Sequence, residues 1–406
     1  MTLINRHKER VATRNEPLKR QLFRIIDAYF GLLITFFLYI FGKTFGRTQN
    51  VTCNHRFNKI LLVKLAALGE STILLTVIDR IKKACPQAEI HVLATPLNSQ
   101  ILEQNSHLYD RLIVEDILKS KLGFLRLIKI IKNLRKSQYD LAIDFEPHFY
   151  FTPVILYLSN IPVRGGFYYL GARRLLLTNA WRLSPQHHIL HDFYGLAQSI
   201  LPLPPPPHRL VAPRLRPENR HNIQRWLQAK GLEGRPYVVL HPGCGPSGRC
   251  RAWPKERFLT LAQFLAQNDY VVFLSGTNSE KDIINFILSH ADGAPIFSLM
   301  DELSFADYVA LLDEAKLMVA NDTGPMHLGA ALRVPTLGLF GPETPGRYGP
   351  FGPGNHYLYI EQPCSPCTYS HRGIRPHCIN LTYQKCMLDI TDEMVKDKVK
   401  EILHIK

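Results

Sequence analysis

Three groups of residues in this chain have the types and spacing to do chemistry. The first lies in LMVANDTGPMHLGAAL, which starts at Leu317. An apolar strand, Leu317 to Ala320, runs into the turn NDTGP. A short helix and a second apolar strand, Thr336 to Phe340, follow, and the loop GPETPGRYGP closes the segment. The turn supplies an acid, Asp322, a hydroxyl, Thr323, and a helix N-terminus at Gly324 with a proline suited to the first turn. Free N–H groups at such a terminus bind anions, although the same pattern also makes an ordinary capped helix. His327 lies one turn down the same face, towards the anion or into packing. The second group centres on Glu70, which follows a glycine after an apolar strand and opens a helix whose dipole favours a carboxylate. A helix-capping Glu looks the same. The third is the basic loop GCGPSGRCRAWP, where Arg249 and Arg251 offer guanidinium forks for phosphate or plain solvated charge.

These groups need elements to hold them at strand ends. KILLVKL from Lys59, EIHVLA from Glu89, RLIV from Arg111 and DLAID from Asp140 read as buried strands. Helices separate them: Ser71 to Ala84, with Ile73, Leu74, Val77, Ile78 and Ile81 on one face, and a basic amphipathic helix from Lys119 to Lys136. After LPLPPPP (Leu201 to Pro207), which joins neither helix nor sheet, the alternation restarts. Strands are expected at Tyr237 to His241, Tyr270 to Ser275 and Ile296 to Leu299. Helices are expected at Trp253 to Ala266, Glu280 to His290 and Phe305 to Glu314. Strands alternating with helices give parallel, doubly wound sheets. A chain of 406 residues is too long for one core. The division is 1–50 as basic tail and apolar helix, 51–200 as the first Rossmann-like domain and 201–215 as linker. Residues 216–390 form the second domain and 391–406 a terminal helix. No short-period repeat is present.

The net charge is +15, and residues 1–24 hold seven Lys/Arg against two Glu. A basic excess concentrated in this way fits an acidic partner such as lipid head groups or phosphorylated glycans. No zinc-finger spacing or RNA-binding aromatic motif accompanies it, which argues against nucleic acid. AYFGLLITFFLYIF, Ala28 to Phe41, follows the tail. Its uncharged window of 15 residues is short of the roughly 20 needed to span a bilayer, and no small-x-small cleavage site follows. It reads as an interfacial or re-entrant anchor beside anionic lipid, with a core or dimer helix and a true span as alternatives.

Four segments resemble glycosyltransferase family 9, the ADP-heptose:lipopolysaccharide heptosyltransferases. They are Ile60 to Ala94, Tyr237 to Leu265 with its PGxG and basic-x-Trp-Pro-x-Glu-x-Phe pattern, the NDTGPMHLGAAL segment and the GPETPGRYGP loop. The resemblance covers about residues 59–390. It implies an α/β, GT-B type fold of two Rossmann-like domains facing a cleft, here with an N-terminal membrane-associated helix. It implies that Glu70 is the general base, one methylene longer than the family's common Asp. Arg251 would meet the donor diphosphate, Asp322 the donor-sugar hydroxyls, and Thr323 and Gly324 the diphosphate. His327 and Gly276, in SGTNSEKD, would complete the donor side. Asp144 to Tyr169 resembles an acceptor-side segment of a family subset, so Lys64, Asp144 and Glu146 would face the acceptor or serve structure.

The implied reaction is a single inverting displacement that needs neither cofactor nor metal, the nucleotide sugar being a substrate. The donor would be ADP-heptose and the acceptor a lipid-linked glycan of the lipopolysaccharide core. The expected place is the cytoplasmic face of a bacterial inner membrane, peripheral or monotopic. A UDP- or GDP-hexose transferase, or a non-catalytic sugar-nucleotide- or glycan-binding protein of a membrane assembly, remains as an alternative. Half of the eight cysteines, Cys364, Cys367, Cys378 and Cys386, lie in a C-terminal loop with His371 and His377. Their spacing suits reduced structural thiols, a structural zinc, or a disulfide or redox pair.

Overall fold

The computed structural model describes residues 27, 31–42, 56–117, 123–147, 149–168, 171–245, 248–368 and 378–405. The chain forms two compact units; one ends at Pro207 and the next begins at His208. The division falls at the end of the proline run. Leu201, Leu203 and Leu210 around it are buried, while Pro202, Pro205 and Pro206 are exposed.

The first unit carries a six-stranded sheet in the order β3-β2-β1-β4-β5-β6. The strands are β1 (Lys59–Val63), β2 (Glu89–Ala94), β3 (Arg111–Val114), β4 (Leu141–Asp144), β5 (Val163–Tyr168) and β6 (Asn179–Arg182), all parallel. Both faces of β1 and β4 are buried, which is why their sequences read as unbroken apolar runs and do not alternate. The helix Leu68–Ala84 follows β1 and buries Ile73, Leu74, Val77, Ile78 and Ile81. β5 and β6 complete the sheet beyond the strands anticipated from sequence. The GlyGly pair of β5 hides it, and packing explains the pair. A Cβ on Gly165 would stand 2.3 Å from Ile200 Cδ1, and one on Gly166 would stand 2.9 Å from Leu177.

The second unit repeats the plan, in the order β12-β11-β10-β7-β8-β9. Its strands are β7 (Tyr237–His241), β8 (Val271–Leu274), β9 (Ile296–Ser298), β10 (Leu317–Asn321), β11 (Thr336–Phe340) and β12 (Asn355–Tyr359), again all parallel. The terminal helix Asp392–Leu403 sends Val395 and Val399 into this unit's core beside Trp253, Phe258 and Leu261. In each sheet the chain works outwards from a central strand and then returns to that strand's other side. The switch points lie between β1 and β4 and between β7 and β10. Open α/β sheets bind ligands at the carboxyl ends of strands at such points.

Residues 31–42 are helical. Asp27 accepts hydrogen bonds from the N–H groups of Tyr150 (2.9 Å) and Phe151 (2.8 Å), at the start of the helix Phe151–Leu158. Gly31 lies against Tyr150, Gly42 against Tyr157, and Thr35 is buried. The opposite face leaves Leu32, Leu33, Ile34, Phe36, Phe37, Ile40 and Phe41 exposed, Leu33 and Phe37 by 66%. Among the described residues no helix is long and apolar enough to cross a membrane. The basic tail lies outside the described residues.

Candidate active site

The first unit's switch point is built around one buried ammonium. Lys64 directly follows β1 and is 0% exposed. Its Nζ donates to Glu70 Oε2 at 2.6 Å, Glu146 Oε1 at 3.1 Å and the Phe145 carbonyl at 3.4 Å, with the Phe193 ring 5.7 Å away. Glu70 sits in the first turn of Leu68–Ala84, as its sequence position suggests. Glu146 comes from the loop after β4, and its Oε1 also accepts from Leu65 N (2.6 Å) and Ala66 N (2.7 Å). Asn98 pins the same turn by donating to the Lys64 carbonyl and Ser71 Oγ.

The electrostatics follow from this geometry. Burial works to lower the Lys64 ammonium, but Glu146 and Glu70 outweigh it and hold the group above the ordinary lysine range. Burial holds the Glu146 carboxyl above the usual range; Lys64 pulls it back, Glu70 pushes it up again, and the Ala66 N–H lowers it in part. Three donors converge on Glu146 Oε1, so the ion-paired form is the one the structure accommodates. Of the two acids only Glu70 reaches solvent, with 18% of its side chain exposed against 2% for Glu146.

Asp144, at the end of β4, is fully buried in a second network. Its carboxylate accepts from Thr152 Oγ1 (2.6 Å), Arg173 Nη2 and Glu146 N (3.0 Å). Arg173 also donates to the carbonyls of Glu146, Phe149 and Phe167. Lys64, Asp144 and Glu146, read from sequence as facing an acceptor or serving structure, all have internal partners here, and the parallel pairing of β1 and β4 brings Val63 beside Asp144. Arg173 was not singled out from sequence. It lies in the short 3-10 turn Gly171–Leu176, a region with no periodic pattern to mark it.

The second unit's switch point is built from loops and one arginine. Asn321, the last residue of β10, donates to the Pro242 carbonyl (2.9 Å) and accepts from Trp253 N (2.9 Å). It thereby ties the PGCG loop, the arginine turn and the NDTGP turn together. Arg251, in the 3-10 turn Arg249–Arg251, places Nη1 3.1 Å from Asp322 Oδ2. Burial works to lower the Arg251 guanidinium, and Asp322 more than restores it. Among the described residues Arg251 Nε has no hydrogen-bond partner. Arg249 is exposed and lends its carbonyl to Gln384. Trp253 is a packing residue, 1% exposed, with Nε1 donating to the Ile390 carbonyl.

Thr323 caps the helix Gly324–Ala331 in an extended conformation, and Pro325 occupies its first turn. His327 is buried on this helix. Gly276 follows β8, where a Cβ would lie 2.6 Å from Ile284 Cδ1. Glu280 is a further residue of this switch point, and a Thr277–Glu280 capping box is its only local mark in the sequence. It accepts from Gly245 N (3.0 Å) and Thr277 N (2.8 Å), stitching the loop after β7 to the loop after β8. Gly243 leaves room for this side chain, since a Cβ there would fall 2.0 Å from Glu280 Cγ. His241, at the end of β7, bonds Ser275 Oγ at 3.0 Å, and burial pushes its pKa down to about 4, so the ring is neutral.

Cys364, Cys367, Cys378 and Cys386 are free thiols. Cys364 Sγ accepts from Asn380 Nδ2 and Cys378 Sγ from Gln384 N. Burial pushes Cys367 up to about 11 and Cys386 up to about 12. Among the described residues no group of three or more His, Cys, Asp or Glu is arranged to hold a metal. His371 and His377 lie outside the described residues.

The family model described as glycosyltransferase family 9 (heptosyltransferase) matches residues 127–374. The chain is 26% identical to lipopolysaccharide heptosyltransferase 2 of Salmonella typhimurium over 364 residues, covering 85% of this chain and 98% of the relative. Among solved structures, the glycosyl transferase family 9 protein from Veillonella parvula superposes with a TM-score of 0.74 at 20% identity, over 86% of this chain and 98% of that one. The E. coli ADP-heptose lps heptosyltransferase II superposes with a TM-score of 0.66 at 21% identity, over 85% and 98%. The family match spans more than half of the chain, and the chain therefore belongs to glycosyltransferase family 9, the heptosyltransferases, and is a glycosyltransferase.

Proposed function

We propose that this enzyme transfers heptose from ADP-heptose, with inversion, onto a lipopolysaccharide-core or related surface-glycan acceptor. The observation that carries the reading is the division of chemistry between two sheets of the same strand order. One switch point holds a solvent-reaching carboxylate on a buried ammonium. The other holds an arginine beside a helix N-terminus. A proton acceptor and an anion site are the two things a direct sugar displacement needs.

Glu70 takes the proton from the acceptor hydroxyl as that oxygen attacks the anomeric carbon. The nucleoside diphosphate leaves from the opposite face. Arg251, with Nη1 steadied by Asp322, meets the phosphate oxygens with its remaining N–H groups. Thr323 and the N–H groups from Gly324 onwards add a fixed dipole aimed at the same charge. His327 and Gly276 line the donor side. Heptose and ADP are favoured because relatives whose names carry those words align over nearly their whole length.

The site of action is the cytoplasmic face of a bacterial inner membrane, with peripheral attachment. Seven large apolar side chains on one face of residues 31–42 and the basic sequence 1–24 are the features of an interfacial helix on anionic lipid. Calorimetric titration with ADP, UDP and GDP tests the donor. Selective ADP binding that weakens sharply in Arg251→Ala supports the reading. Selective UDP or GDP binding replaces the donor, and binding of none of them overturns the ADP-heptose donor reading.

A further inference from the structure

Two carboxylates share one buried ammonium, and the second of them needs a purpose. We propose that Glu146 is a positioning residue that sets the basicity of Glu70 through Lys64. The inference rests on reading Glu70 as the base.

The physical reason begins with what Lys64 alone would do. A buried ammonium 2.6 Å from one carboxylate stabilises the charged form so strongly that the group becomes a poor proton acceptor. A second negative charge on the other side of the ammonium, at 3.1 Å, offsets that pull. Lys64 then orients Glu70 without disabling it. Glu146 is suited to this because its place is fixed by the N–H groups of Leu65 and Ala66 and does not depend on Glu70. The arrangement also protects the reaction step itself. When Glu70 receives the acceptor's proton, Lys64 still has Glu146 as a partner, so no buried charge is stranded.

Among the described residues, Asp144 accepts from Glu146 N and Arg173 donates to the Glu146 carbonyl beside this cluster. They are paired with each other. Lys64 is the cation that Glu70 and Glu146 share.

The test is Glu146→Gln in the full-length protein. The amide oxygen keeps the bonds from Leu65 and Ala66 and removes only the charge. The rate of heptose transfer from ADP-heptose to a core-truncated lipopolysaccharide is followed against pH. The acid limb is expected to move down by about one pH unit, with a several-fold lower plateau and an unchanged KM for the donor. Carbon-13 titration of the Glu70 carboxyl, identified as the resonance lost in Glu70→Gln, should show the same downward shift whatever sugar the enzyme uses. Glu146→Gln combined with Lys64→Met should move both midpoints back up. A role confined to folding would lower Tm and leave limb and midpoint in place, and that result overturns the inference. Glu70→Gln that still transfers sugar overturns the base reading instead.

Discussion

The two sheets arrange their strands in the same order, yet the chemistry at their switch points differs in kind. In the first unit side chains do the work. Lys64, Glu70 and Glu146 come from three separate segments, and the two carboxylates share the one buried ammonium. In the second unit the backbone carries much of it. Glycine-containing loops and a helix N-terminus are held in place by Asn321 and Glu280, and one arginine is left partly exposed. A proton acceptor must have its charge balanced by neighbours. An anion site must keep N–H groups and positive charge unspent. On the proposed reading, one strand order serves both needs through different groups at the strand ends.

The comparison can be broken first at Lys64. Lys64→Met leaves Glu146 buried without its ammonium, and chemical denaturation should show a loss of about 3–5 kcal/mol. Arg251→Ala should leave the fold intact and weaken ADP binding by about 2 kcal/mol, on the order of 30-fold, by calorimetry. If the larger stability loss came from Arg251, the contrast between a buried cluster and an open anion site would be wrong. Asn321→Ala should cost about 1–2 kcal/mol of stability and weaken ADP binding together, since it frees three loops at once.

The smallest effect concerns the docked helix. Burial pushes the Asp27 carboxyl up to about 6 from an ordinary value of 3.8, with the Tyr150 and Phe151 N–H groups and Arg173 pulling it back. The raised value means that the folded state holds this proton more tightly than the unfolded state does. Its contribution is therefore fully present below about 3.8 and is lost as pH rises to 6. Asp27→Asn should flatten that part of the stability curve, measured by Tm against pH.

Much of the fold was legible in the sequence because the central strands are buried on both faces and spell unbroken apolar runs. Edge elements were harder. β12 is only half-buried, and β5 loses its strand signature to Gly165 and Gly166, where close packing leaves no room for a side chain. At the site, Glu70 and the NDTGP turn announce themselves through local helix-start chemistry. The partnership of Lys64 with Glu146 does not, because it spans 82 positions and exists only once β1 and β4 pair. Glu280 left a local trace in its capping box, but its bond to Gly245 depends on β7 lying beside β8.

The central claim is that Glu70 is the proton acceptor of a sugar transfer. The most direct measurement is heptose transfer by Glu70→Gln, run beside ADP binding by the same protein. The account predicts transfer reduced by about 10²–10⁴-fold with ADP affinity unchanged, because Glu70 and Arg251 serve different units. Transfer at the native rate would contradict it.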